Sequence, residues 1–108
     1  MDPAAQLSLN EALDRLWKQF LPQIEERVAT LEAAGRAVSD GRFSDEQREA
    51  AHSAAHKLAG VLGTFGLTKG TILAREAESL YLGDTDPESA SQLMTIAEQL
   101  RVLVASRK

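Results

Sequence analysis

Residues 49–66 read EAAHSAAHKLAGVLGTFG, and this stretch decides the fold because its apolar positions follow the period of a helix. At about 100° per residue, the apolar side chains gather on one side of that helix. His56 then points away from the apolar side. The stretch therefore predicts an amphipathic helix with a solvent-facing histidine near its middle. Its apolar side is formed by Ala51, Ala54, Ala55, Leu58, Val61, Leu62 and Phe65.

Capping signals mark both ends of this helix. Ser44 is a good N-cap residue, and Gln47, three residues later, can complete a capping box. Asp45 and Glu46 place two acids in the first turn, where the helix dipole favours them. Gly66 is a stop signal after the last apolar position. We expect a helix over about residues 45–64.

Two helices are predicted on the N-terminal side of it. An apolar face runs from about Leu9 to Leu21, and Pro22 then interrupts it. Proline has no backbone N–H to donate, so it either kinks one long helix or opens a second at its first turn. We expect the second outcome, with the new helix ending near Asp40 and Gly41.

Two more helices are predicted on the C-terminal side, over about residues 68–82 and 87–106. Asp86-Pro87-Glu88 is a strong helix start for the last of them. No segment alternates apolar and polar residues as a strand would. The fold class is therefore all-α, an up-down four-helix bundle with an extra N-terminal helix. We expect residues 1–7 to form a loose N-terminal arm and residues 8–108 the helical bundle.

Composition narrows the class of protein. The length of 108 residues fits one domain. The net charge of −4 argues against nucleic acid as a partner. The absence of cysteine excludes disulfides and thiolate metal sites. The N-terminus lacks the pattern of a signal peptide, and no apolar run reaches the ~18 residues that span a bilayer. We expect a cytoplasmic protein, monomeric, with no membrane partner.

The surroundings of His56 suggest an approach surface. Ala59, Gly60 and Gly63 lie three, four and seven residues after it, on the same helix face. Glycine inside a helix costs about 1 kcal/mol relative to alanine. The glycines are explained if a partner approaches closely beside His56, or if a neighbouring helix packs over Gly63. A neutral imidazole is a nucleophile near neutral pH, and it needs exposure and a hydrogen-bond acceptor rather than a pocket.

The sequence also resembles a known family. Ala55-His56-Lys57-Leu58-Ala59-Gly60, followed by Gly63-Thr64-Phe65-Gly66-Leu67, is similar to the histidine phosphotransfer (Hpt) domain, and most similar in kind to that of chemotaxis histidine kinases. The resemblance covers most of residues 20–82. It implies a phosphoryl carrier of a two-component phosphorelay rather than a stand-alone enzyme, with no ATP-binding site, no cofactor and no metal. The implied partners are a response-regulator receiver domain, a histidine kinase, or both.

The resemblance also assigns roles to residues. It makes His56 the phosphoryl acceptor and Glu78 the carboxylate that orients its ring, although Glu78 could also be an ordinary surface carboxylate. The family usually has Lys or Arg where this chain has Ala59, and Lys57 and Lys69 are the candidate substitutes. We expect a docking face formed by His52, His56, Ala59, Gly60 and Gly63, with Lys57 and Lys69 at its rim.

Two other functions remain open. His52 and His56 are four residues apart, and Glu49 precedes His52 by three. This Glu-x-x-His spacing occurs in di-iron helical bundles, but such a site needs two of these motifs and two more glutamates. The more serious alternative is a helical docking domain that has lost phosphotransfer, since a fold does not by itself give a function.

Overall fold

The computed structural model describes residues 2–83 and 85–107, which form four α-helices and one turn of 3-10 helix without a strand in those ranges. The helices are α1 (Pro3–Ser39), α2 (Asp45–Thr64), α3 (Thr68–Leu82) and α4 (Ala90–Ser106), and the 3-10 turn covers Pro87–Ser89. The predicted all-α bundle is confirmed. None of these helices is long and apolar enough to cross a membrane.

Helix α1 differs from the prediction, because it continues through Pro22 as one helix. Pro22 removes one backbone hydrogen bond, but Trp17 and Ile24 on either side of it are both buried. These two residues are seven apart and lie on the same face, so packing in the core keeps the helix continuous past the missing bond. The prediction that a separate helix opens at Pro22 is wrong: the extra N-terminal helix is the first half of α1.

The start of α1 also differs from the prediction of a loose arm over residues 1–7. Asp2 caps the helix by accepting a hydrogen bond from the Ala5 N–H at 2.9 Å, and Pro3 occupies the first turn. Both features favour a helix start. Residues 3–7 are therefore helical, and Met1 lies outside the described residues.

The ends of the other helices follow their capping signals. At α2, Ser44 Oγ accepts from the Gln47 N–H at 3.1 Å, and Gln47 Oε1 accepts from the Ser44 N–H at 2.9 Å, which completes the capping box. Gly66 takes a φ of +74° after α2, a conformation that favours glycine. Asp86 caps the 3-10 turn that leads into α4.

The helices form a bundle in which α2 packs mainly on α3, and α1 packs mainly on α4. The molecule is elongated, 53 × 20 × 20 Å, because the 37 residues of α1, at about 1.5 Å each, run along the whole of its long axis. One end of the core is closed by Trp17, which meets the Phe65 ring edge-on at 5.2 Å. The Arg107 guanidinium lies 4.9 Å from the centre of the Trp17 ring.

Candidate functional site

The close packing of α2 on α3 sets the register of the site. Gly70 lies so close to Leu62 that an added Cβ would come within 2.9 Å of its side chain. The Thr71 hydroxyl donates to the Ala59 carbonyl at 3.1 Å. The two helices are antiparallel, so moving forward along α3 from Thr71 means moving back along α2 from Ala59. Glu78, seven residues after Thr71, therefore lies level with the segment of α2 that carries His52 and His56.

His56 and Glu78 form the centre of the site. Nδ1 of His56 lies 2.6 Å from Oε2 of Glu78, and the His56 side chain is 72% exposed. An ionised carboxylate can only accept hydrogen bonds, so Nδ1 carries the ring proton and donates a hydrogen bond to Glu78. The second ring nitrogen, Nε2, then keeps a free lone pair. The geometry leaves a solvent-facing nucleophile whose tautomer is held by a neighbouring helix.

His52 contacts the same carboxylate. Its Nε2 lies 3.6 Å from Glu78 Oε2, and its side chain is about one-third exposed. The carboxylate therefore lies between two histidines of α2 that are four residues apart. Sequence reasoning placed His52 on the docking face and missed this contact. The spacing of the two histidines was the available signal, because it puts both on one helix face.

The small residues near His56 do not all lie on the surface. Gly60 is exposed, and a Cβ added there would meet nothing within 4 Å. Gly63 is exposed too, but its added Cβ would lie 3.3 Å from Thr71 Oγ1. Ala59 is only 6% exposed, so its predicted place on the docking face is wrong. It lies about 60° further round α2 than His56, on the side that packs against α3.

The two predicted lysines differ in position. Lys57 is exposed and follows His56, about 100° further round α2. Lys69 lines a groove with Thr95, Glu98 and Val102 of α4. It precedes Glu78 by nine residues, which places it half a turn round α3 from that carboxylate. Its predicted place at the rim of the His56 surface is therefore wrong, because the bundle puts that side of α3 against α4.

Metal binding receives no support from the side-chain positions. Within residues 2–83 and 85–107, no group of three or more His, Cys, Asp or Glu side chains could hold a metal ion. The two histidines of α2 both engage Glu78 instead.

Comparisons with known proteins identify the family of this chain. The family model of the Hpt domain matches residues 15–106. Protein RcaC of Microchaete diplosiphon is 33% identical over 92 residues, which cover 82% of this chain and 14% of that protein. No solved structure matches significantly. The chain belongs to the Hpt domain family, whose members carry out phosphotransfer in two-component phosphorelays and interact with histidine kinases and receiver domains.

Proposed function

We propose that His56 accepts a phosphoryl group on Nε2 and donates it to an aspartate of a receiver domain. The observation that carries the proposal is the 2.6 Å contact between Nδ1 and Glu78 on a ring that is 72% exposed. The contact selects the tautomer in which Nε2 is free, and the exposure lets a partner bring phosphorus to that atom.

The transfer can be written atom by atom. The Nε2 lone pair attacks the phosphorus of an aspartyl phosphate, or of ATP held by a histidine kinase. The N–P bond forms as the bond from phosphorus to the carboxylate or ADP oxygen breaks. The Nδ1 proton stays on the ring, which becomes positively charged. In the onward step an aspartate oxygen attacks phosphorus, and the lone pair returns to Nε2.

Glu78 assists this step electrostatically. Positive charge develops on the imidazole as the N–P bond forms, and the carboxylate already lies against Nδ1. A charge placed in advance where charge develops lowers the barrier without reorganisation. Gly60, one turn after His56, leaves room for the partner beside the ring.

The test is phosphoryl labelling of three proteins: the wild type, His56→Gln and His52→Gln. Each is incubated with a phosphorylated receiver domain or an active histidine kinase, and the label is tested for lability in acid. We expect acid-labile label on the wild type and on His52→Gln, and none on His56→Gln. Label that persists in His56→Gln would contradict the proposal. No label on any of the three, with several donors, would favour the docking domain without transfer.

A further inference from the structure

A phosphoryl group on His56 would need a cation close by. Its oxygens would carry negative charge near the carboxylate of Glu78, and phosphoryl transfer depends on neutralising that charge. An arginine guanidinium suits the task, since it is always charged and can donate two parallel hydrogen bonds.

Arg75 lies on α3 between the two residues that contact α2 near His56. Thr71, Arg75 and Glu78 follow one another on α3 at steps of four and three residues, so they share one face. Thr71 contacts the Ala59 carbonyl at 3.1 Å and Glu78 contacts His56 at 2.6 Å. Arg75 lies between these two contacts, about 4.5 Å along the helix axis from Glu78.

Arg75 also lies on the solvent side of that face. Ala74 and Ala77 are buried on the core side of the line from Thr71 to Glu78, whereas Arg75 is exposed. His56 is exposed on the same side of the α2–α3 pair. Gly60, one turn after His56, adds no side chain that could crowd the ring. Among the described residues, no acidic side chain forms an ion pair with Arg75.

We propose that Arg75 is the phosphoryl-binding cation of this site. Its guanidinium donates hydrogen bonds to the phosphoryl oxygens on His56 Nε2 and stabilises both the transfer and the phosphohistidine. This inference rests on the proposed function, because it presumes that His56 carries phosphate. Of the two lysines named as substitutes for the usual cation, Lys69 faces α4 and Lys57 is turned further from α3. Arg75 is supplied instead by the helix that also supplies Glu78.

The experiment compares Arg75→Gln, Arg75→Lys and Lys69→Gln. Lys69→Gln is the matched control, since it removes one positive charge from the same helix at a position about 120° round from Arg75, beside α4. Each protein is phosphorylated in two ways: by a receiver domain, and by phosphoramidate, which forms the same N–P bond as ammonia leaves. The readouts are the labelling rate and the pH at which the phosphohistidine ³¹P resonance titrates.

We expect labelling of Arg75→Gln to be slower by about ten- to a hundredfold, with partial rescue in Arg75→Lys and a change below about twofold in Lys69→Gln. The ³¹P titration of Arg75→Gln should move to higher pH, because the guanidinium favours the dianion. Equal rates and titrations in Arg75→Gln and Lys69→Gln would overturn the role of Arg75. If only phosphoramidate labels the wild type, relay transfer is refuted, but the comparison of Arg75→Gln with Lys69→Gln still tests Arg75. If neither donor labels the wild type, the proposed function and the role of Arg75 are both overturned.

Discussion

Replacement of Glu78 separates the two contributions that its carboxylate makes to His56, which are a hydrogen-bond acceptor and a negative charge. Glu78→Gln keeps a neutral oxygen that can accept from Nδ1–H, and Glu78→Ala removes the acceptor altogether. Both variants should fold, because the side chain lies at the edge of the bundle and takes no part in the core. They test whether the 2.6 Å contact acts in transfer or is only a surface ion pair.

The size of the effect follows from the contact. A hydrogen bond to a charged group contributes about 1.5–3 kcal/mol. The His56 ring is mostly exposed, so water competes for Nδ1 and the lower end of that range applies. About 1.4 kcal/mol corresponds to a tenfold change in rate. We expect Glu78→Ala to label about ten- to thirtyfold more slowly. Glu78→Gln should lose roughly half of this free energy, since neutral hydrogen bonds are about half as strong as charge-assisted ones.

The assay is the initial rate of phosphoryl labelling from a receiver domain at fixed pH. Glu76→Gln is the matched control, because Glu76 lies two residues away on α3 and bonds Gln92 at 2.8 Å instead of His56. A circular dichroism melt of each variant shows whether the fold is intact. A folded Glu78→Ala that labels within about twofold of the wild type would refute the argument.

Gly60→Ala should raise stability by about 0.5–1 kcal/mol, because the added Cβ has open space and favours helix. Gly60→Leu should melt at or above the temperature of the wild type and yet transfer phosphoryl groups about tenfold or more slowly. An unchanged transfer rate would contradict the role of Gly60 in docking. Tyr81 is buried with its hydroxyl unpartnered, so Tyr81→Phe should match or exceed wild-type stability in urea unfolding. Burial raises the pKa of Tyr81 to about 12. The unfolded chain therefore loses the phenol proton first, and wild-type stability should fall as pH rises from about 10 towards 12. An equally steep fall in Tyr81→Phe would contradict this.

Local patterns in the sequence determined most of the helical structure. The apolar period around His56 predicted α2, and the Ser44–Gln47 capping box placed its first turn correctly. Such features depend on residues within one or two turns of each other, so they can be read without knowing how the helices pack. The exposure of His56 also followed from this period alone.

Only the tertiary structure decided which residues surround His56. The contact of both histidines with Glu78, the burial of Ala59 and the turning of Lys69 towards α4 depend on the register and rotation of α3 against α2. Those are set by close contacts such as Gly70 on Leu62, between residues far apart in the chain. The unbroken course of α1 through Pro22 has the same origin. Packing of the whole apolar face of α1 outweighs the loss of one backbone hydrogen bond at Pro22. The local sequence shows the lost hydrogen bond but not the packing that compensates for it.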